Sequence, residues 1–475
     1  MIDGLKPYPK MKDSGVPWLG KVPEHWEVLP NRAICTEVNC RNHPGAQMLS
    51  VTITKGVIRQ RALLADSAKK DSSNLDRSAY KLVRCGDIAY NKMRAWQGAI
   101  GASDYEGIVS PAYVIQRPRN GLLSRYLHFL FRTPAFAKEA ERWSYGITSD
   151  MWSLRPEHFK LIYSCVPPAF EQAAIATFLD HADRRIRQSI RAKQKLVKLL
   201  EEQKQTIIQQ AVTRGLNPDV RLKPSGVAWL GSVPEHWEVV RSKRVFVPRT
   251  ELAQPDDIQL SATQAFGVIS QAEYERRVGR KIVKIFRHLE KRKHVEPDDF
   301  VISMRSFQGG LERAWERGCI RSSYVVLRQL RGVSVPYFAK LFKSAGYIRA
   351  LQSTADFIRD GQDLNYENFC AVDLPFPPIG EQSQIAAAVD RAVMRASVLG
   401  DRTRQEITLL EELRTGIISD VVTGKVDVQE IASRLPPESI DAANEYGDGD
   451  TDSCVTDEDF EGEVDDDAQE VANDD

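Results

Sequence analysis

Two pairs of side chains in this sequence have the types and spacing to grip nucleobases or phosphates. Arg94 and Gln97 stand three residues apart in Met93-Arg-Ala-Trp-Gln-Gly-Ala99, and Arg305 and Gln308 repeat that spacing in Met304-Arg-Ser-Phe-Gln-Gly309. An arginine fork matches O6 and N7 of guanine, and a carboxamide matches the hydrogen-bonding edge of adenine. Lys92 adds a cation beside the first pair. Residues 276–293 concentrate nine more: Arg276, Arg277, Arg280, Lys281, Lys284, Arg287, Lys291, Arg292 and Lys293. Lys55, Arg59, Arg61, Lys69 and Lys70 form a thinner counterpart in the first half. Cations at this density suit phosphate contacts, which position a protein on a duplex without reading its sequence. The competing account is an exposed amphipathic helix face.

The charge balance supports a polyanionic partner once its distribution is considered. The chain of 475 residues has 65 Lys and Arg against 65 Asp and Glu. Residues 441–475 hold 16 of the acids and no base, so the rest carries a surplus of 16 positive charges. Lys and Arg displace condensed counterions from a phosphate backbone. The acidic tail has low hydrophobicity and high charge, and disorder is expected of it. It is also placed to screen the basic body.

Assembled catalytic chemistry is missing. No GxxxxGK[ST] loop occurs, since Gly20-Lys21 and Gly424-Lys425 are each followed by Val. No Asn-Pro-Pro-Tyr or Asp-Pro-Pro-Tyr is present, and Asn217-Pro218-Asp219 reads as a turn. Pro297-Asp298-Asp299 lacks a following Glu-x-Lys and reads as a turn before a strand. His25 and His236 lie in repeated Pro-Glu-His-Trp turns, where packing against Trp26 and Trp237 outweighs a metal or base role. The seven cysteines (35, 40, 85, 165, 319, 370 and 454) form no CxxC pair, a reduced, cytoplasmic pattern without a zinc framework. No run of 18 apolar residues exists, so no membrane span is expected. Met1 to Lys10 has no apolar core, so no secretory signal is expected there.

What must position the candidate residues is a duplicated frame. Ser14 to Val28 recurs as Ser225 to Val239, with 13 of 15 positions identical at an offset of 211. Weaker matches continue: Met93-Arg94 with Met304-Arg305, Gln97-Gly98 with Gln308-Gly309, Tyr113-Val114 with Tyr324-Val325. At an offset of 210, Pro167-Pro168, Glu171-Gln172 and Val212-Thr213 recur as Pro377-Pro378, Glu381-Gln382 and Val422-Thr423. One unit of about 210 residues has been copied.

Each unit has a mixed globular part and a long helix. Strands are expected at 86–90 and 108–116, and a helix at 124–143 interrupted near Pro134. In the second unit the matching strands are 299–304 and 323–327, with one helix over 336–352. From Glu171 to Arg214 there is neither Gly nor Pro, and apolar residues recur close to a 3-4 spacing through Ile175, Leu179, Ala182, Ile186, Ile190, Leu196 or Val197, Leu200, Ile207 and Ala211. Such a helix would run roughly 66 Å and end at Gly215. Glu381 to Thr423 repeats it less regularly, with Gly400 and Gly416 inside and Leu399 and Leu413 on the seam. A narrow apolar seam on a long helix is a coiled-coil signal, and the obvious partner is the other copy. The expected fold class is α/β (mixed α+β), with two globular domains joined by two long antiparallel coiled-coil helices and a pseudo-twofold internal duplication. The expected divisions are 1–168, 169–216, 217–378, 379–430 and a tail at 431–475.

These residues resemble the specificity subunit of type I restriction-modification enzymes. The likeness is carried by the Ser-Gly-Val-Pro-Trp-Leu-Gly and Pro-Glu-His-Trp openings, by Met93 to Ala99 followed by Gly107 to Tyr113, and by Ser153 to Phe159. The Pro-Pro-x-x-Glu-Gln step into the helix and the duplication complete it. The resemblance implies two target recognition domains, each reading one part of a split double-stranded DNA site, and a helical spacer. It implies docking to two methyltransferase subunits and, through the complex, to restriction subunits. S-adenosylmethionine, ATP and Mg would then belong to the partners, with no cofactor on this chain and no catalysis by it. Glu171, Gln172, Ile175, Glu381, Gln382 and Ile385, at the helix starts, are the partner-binding candidates. Ser-Pro-Ala-Tyr becomes Arg321-Ser-Ser-Tyr324 in the second unit, so the two recognition domains have diverged. Because the Arg and Gln motif recurs while the halves would read different bases, phosphate contact or a structural role is favoured for it.

Overall fold

The computed structural model describes residues 5–61, 77–146, 152–281, 289–303, 306–330, 332–354 and 364–436. Residues 437–475 of the acidic tail, Lys69, Lys70, Lys284, Arg287, Met304 and Arg305 lie outside them. The tail expected from 431 starts later, since Gln429–Arg434 is a helix with Ala432 in the first unit's core. The described residues divide into two units. The first takes the chain up to Lys193 and again from Gln405, and the second is Gln194–Arg404.

In the first unit a four-stranded antiparallel sheet has the order Cys35–Val38, Tyr113–Pro118, Ile88–Asn91, Ile100–Ala102. Alternation along the strands sends side chains to two cores. Ile88 and Tyr90 join a large core with Trp26, Tyr126, Phe131, Phe136 and Phe159. Ala89 joins a smaller one with Leu49, Val51, Val57, Val83 and Ile115. The smaller core lies under two hairpin-like pairs, Leu49–Thr52 with Gly56–Arg59 and Lys81–Val83 with Gly107–Val109.

The second unit repeats this plan. Its sheet has the order Phe246–Pro248, Val325–Gln329, Phe300–Ile302, Glu312–Arg313. Phe300 and Ile302 enter its large core and Val301 its small one.

Two expected elements are broken in the structure. The strand over 108–116 is two strands, Gly107–Val109 and Tyr113–Pro118. Between them Ser110 closes a turn, its carbonyl accepting from Tyr113 N at 3.0 Å. The helix over 336–352 is likewise two, Val335–Leu341 and Ala345–Gln352. Ser344 Oγ donates to the Leu341 carbonyl at 2.7 Å, and the Phe342 carbonyl is pressed against Gly310, where a Cβ would come within 1.9 Å of its oxygen. The break at Pro134 is as expected, with Thr133 capping Phe136 N.

The long helices run Ala169–Arg214 and Ile379–Val422, the second passing through Gly400 and Gly416 without a break. Gly215, at φ +76°, ends the first in the left-handed conformation that glycine adopts at little cost. Within the first unit the helices pair antiparallel: Lys193 meets Glu406 at 2.5 Å, and further back Asp183 meets Arg414. Within the second, Ile208, Ala211 and Val212 share a core with Ile385, Ala386 and Val389. Each unit is therefore built from its own globular part, the start of its own helix and the end of the other helix. Tyr126 donates to the Val422 carbonyl at 3.1 Å, and Tyr337 donates to the Val212 carbonyl at 2.9 Å.

Candidate nucleic-acid interface

The Arg94 motif is the tip of the hairpin between strands Ile88–Asn91 and Ile100–Ala102. Asn91 Oδ1 accepts from Met93 N at 3.0 Å, and a single 3-10 turn, Ala95–Gln97, follows. Gly98 reverses the chain at φ +95°. Trp96 donates its indole N–H to the Met93 carbonyl and packs edge-on against Trp152 at 5.5 Å. The tip is thus internally fixed, while Arg94 and Gln97 are exposed and their Nη1 and Oε1 lie 3.5 Å apart. Lys92 is half-buried, with its carbonyl accepting from Leu154 N at 2.9 Å. Arg59 lies with its guanidinium 4.6 Å from the centre of the Tyr105 ring, and Arg61 is exposed.

In the second unit Gln308 is exposed on the short helical turn Ser306–Gly309, the counterpart of that tip. The left-handed glycine has moved one place, to Gly310 at φ +76°. Gln352 now braces the loop, donating to the Phe307 carbonyl at 2.6 Å.

The basic strip is less uniform than its sequence. Arg276 and Arg277 are exposed on helix Gln271–Val278, and both pair with Glu273 in its first turn. The arginine hydrogen bond holds the Glu273 carboxyl below its ordinary range, with the charges of Arg276 and Arg277 adding to it. Arg280 and Lys281 are exposed beyond the helix end at Gly279. Lys291 is exposed too, but Arg292 is buried, and half-buried Lys293 donates to the Tyr324 carbonyl at 2.6 Å. Lys81 makes the equivalent bond to Tyr113 at 2.7 Å, so Arg292 and Lys293 belong to the frame and leave the strip.

The helix-start residues need a larger correction. Glu171, Gln172 and Ile175 are buried in the first unit, and Gln382 and Ile385 in the second. Gln172 accepts from Leu123 N at 2.8 Å and donates to the Pro167 carbonyl at 2.8 Å, and Gln382 makes the matching bonds to Ser334 and Pro377. Glu171 and the half-buried Glu381 take the indole N–H groups of Trp26 and Trp237. These side chains close each unit on itself, and all of them except Glu381 are buried. The apolar side chains exposed on the helices are Phe170, Leu409 and Leu413 in the first unit, and Ile379, Leu196, Leu199, Met394, Val398 and Leu399 in the second. Leu399 and Leu413 were expected on the inner seam, and of the alternatives Leu196 and Val197 it is Val197 that is half-buried. The 3-4 spacing marks apolar faces but does not say which face a neighbour covers.

Sequence reading passed over one anchoring set. Asp87, buried before strand Ile88–Asn91, takes a two-pronged ion pair from Arg117 at 2.8 and 2.9 Å. Asp299 fills the same role in the second unit, but its partner Arg249 comes from a different strand edge. Asp299 also accepts from Glu296 N at 2.8 Å, so Pro297-Asp298-Asp299 is the turn before a strand. Among the described residues no group of three or more His, Cys, Asp or Glu is arranged to hold a metal ion, and no helix is long and apolar enough to cross a membrane.

No known protein-family profile matches the sequence. The fold is similar to that of a chain from a structure of complex assembly and conformational transition of the type I R-M system. The TM-score is 0.61, with 16% identity over 84% of this chain and 98% of that one. Two further solved structures are more distant in shape. One is the HsdS subunit from Thermoanaerobacter tengcongensis, at TM-score 0.46 and 16% identity over 85% of this chain and 98% of that one. The other is the restriction-modification S subunit from M. genitalium, at 0.33 and 11% over 84% and 96%. The first similarity establishes the fold: mixed α/β with two long helices, of the kind found in the type I R-M system.

Proposed function

We propose that this chain is the DNA sequence-specificity subunit of a type I restriction-modification complex. The observation that carries the reading is one frame built twice with different exposed loops. The indole-to-carboxylate bonds Trp26–Glu171 and Trp237–Glu381 recur in both units, whereas the tips bearing Arg94 and Gln97 in one unit and Gln308 in the other are held by different contacts. Two like frames with unlike tips suit the recognition of two unlike half-sites in double-stranded DNA. Of the basic strip, Arg276, Arg277, Arg280, Lys281 and Lys291 remain exposed as phosphate-contact candidates.

In this reading the chain does no chemistry. Two methyltransferase subunits dock along its helices, where Leu409, Leu413, Met394 and Val398 offer apolar contact, and restriction subunits join through them. S-adenosylmethionine, ATP and Mg act on those partners. Methylome sequencing of a host expressing the chain with its partner subunits tests the proposal. A split, asymmetric methylated motif is the expected result. An S-adenosylmethionine binding signal from the isolated chain would instead mark it as an enzyme.

A further inference from the structure

Helix Ser124–Phe131 and the residue after it link the first long helix to the loop tips of the first unit. The links fall on successive turns of one face, the spacing that brings helical side chains into line. Arg125 Nε donates to Asp180 Oδ1 on the long helix at 2.8 Å. His128 Nδ1 accepts from Ala102 N at 3.2 Å. Arg132 then reaches two loops at once. Its Nη1 donates to the Gly98 and Ile100 carbonyls at 3.2 and 2.9 Å, and its Nη2 to the Ile53 and Thr54 carbonyls at 2.7 Å each. The first pair belongs to the hairpin tip of Arg94 and Gln97, and the second to the turn between strands Leu49–Thr52 and Gly56–Arg59.

The place is a poor one for a cation. Burial and the nearby charges of Arg414, Arg187 and Arg125 pull the Arg132 guanidinium down to about 10, with Asp183 opposing them. Among the described residues its hydrogen bonds all go to backbone carbonyls. A planar fork with five donors is the side chain that can hold four carbonyls of two loops in one arrangement. With four donors engaged, little remains for a phosphate. The duplication supplies an internal control. The second unit has Lys343 at the matching position, and its ammonium pairs with Glu312 at 2.5 Å instead of spanning two loops.

We infer that Arg132 is a positioning residue for sequence recognition by the first unit, locking its two loop tips in register with the helix pair without itself contacting DNA. The role in recognition rests on the specificity-subunit reading above. The second unit uses a different device, which leaves its loops free to take another geometry.

The test uses the full-length chain with its partner subunits and two variants, Arg132→Lys, which keeps the charge, and Arg132→Gln, which does not. Amide hydrogen exchange and competition binding with cognate, half-altered and random duplexes are read together. In Arg132→Lys, exchange should rise at least tenfold in 53–56 and 94–100 together, with the second unit unchanged. Discrimination at the first unit's half-site should fall about 10- to 100-fold. Affinity for random duplex and its salt slope should stay as in the parent. Arg132→Gln should loosen the same loops. Unchanged exchange in both loops overturns the inference, as does full discrimination from loosened loops. A parallel loss of random-duplex binding, or loss of cooperative melting in the first unit, would make Arg132 a general DNA contact or a fold residue and also overturn it. If the parent chain itself prefers no duplex, the specificity-subunit reading fails, while the exchange data still decide whether Arg132 holds the loops.

Discussion

Trp26 donates its indole N–H to Oε2 of Glu171 at 2.8 Å, joining the repeated N-terminal turn to the start of the first long helix. The same carboxylate takes the Tyr8 hydroxyl at 2.9 Å and His25 Nε2 at 2.6 Å. A carboxylate in the first helical turn is also favoured by the helix dipole. Burial, with Glu171 next to it, pushes the Tyr8 phenol well above its ordinary range, so it stays a donor. In the second unit Glu381 takes Trp237 and His236, but Asp219 stands where Tyr8 would.

Glu171→Ala should therefore be the more damaging of two parallel changes. It strands the buried Trp26 and Tyr8 donors, at about 1–3 kcal/mol each. Glu381→Ala strands one indole N–H, and Glu381 already has 26% of its side chain exposed, so a cost of about 1–2 kcal/mol is expected. Urea denaturation followed by tryptophan fluorescence would compare the two. Equal losses would show that the tyrosine adds nothing to the closure.

Gly424 and Gly215 end the two long helices at φ +73° and +76°. A Cβ on Gly424 would stand 2.3 Å from Pro23 Cδ and 2.9 Å from Trp26, whereas on Gly215 the nearest atom is Glu381 Oε1 at 3.2 Å. Alanine at either place adds backbone strain of roughly 1–2 kcal/mol. At Gly424 it also overpacks a rigid turn, for roughly 1–3 kcal/mol more. Gly424→Ala should lower the melting temperature clearly more than Gly215→Ala. The reverse order would mean that the turn around Pro23 yields.

The second unit should lose stability as pH rises above neutrality. His294 is buried between Asp257, at 2.7 Å from Nδ1, and Glu296, at 2.9 Å from Nε2. Burial alone would lower its pKa, but the bonds and charges of the two carboxylates together raise it above the ordinary 6.5. A raised folded pKa gives stability that is fully present below 6.5 and lost as pH climbs through the folded value. Thermal melts from pH 5.5 to 8.5 should show this decline. His294→Gln should flatten it, and a slope unchanged in that variant would assign it to other groups.

The frame was legible in the sequence because identical residues at a fixed offset meet identical surroundings, and the uninterrupted 3-4 pattern after Pro168 has one regular outcome. The helix starts were misread for an instructive reason. Glu171 and Gln172 are polar, and polar residues at a helix start look like surface, yet their partners Trp26, Leu123 and Pro167 are distant in sequence. Arg132 was invisible for a similar reason: its four acceptors are backbone carbonyls, which carry no residue signature. The split at Phe342 depends on the close approach of Gly310, which local periodicity does not encode.

The basic strip of the second unit should separate into strong and weak phosphate contacts. Glu273 competes with phosphate for the guanidinium donors of Arg276 and Arg277, and Arg280 and Lys281 are exposed after the helix end at Gly279. The salt slope of binding counts phosphates neutralised, at roughly 0.9 per contact on duplex DNA. Changing Arg280 and Lys281 to Ala should weaken binding to every sequence alike and flatten the slope by about 1.8. Changing Arg276 and Arg277 should flatten it by less than two full contacts would, because Glu273 already meets part of their hydrogen bonding. Electrophoretic mobility shifts on cognate and random duplexes from 50 to 200 mM salt, roughly the range over which such contacts are screened, would measure both slopes. Unchanged slopes in the Arg280 and Lys281 variant would remove the strip from the interface. A loss confined to the cognate duplex would instead make those residues base readers.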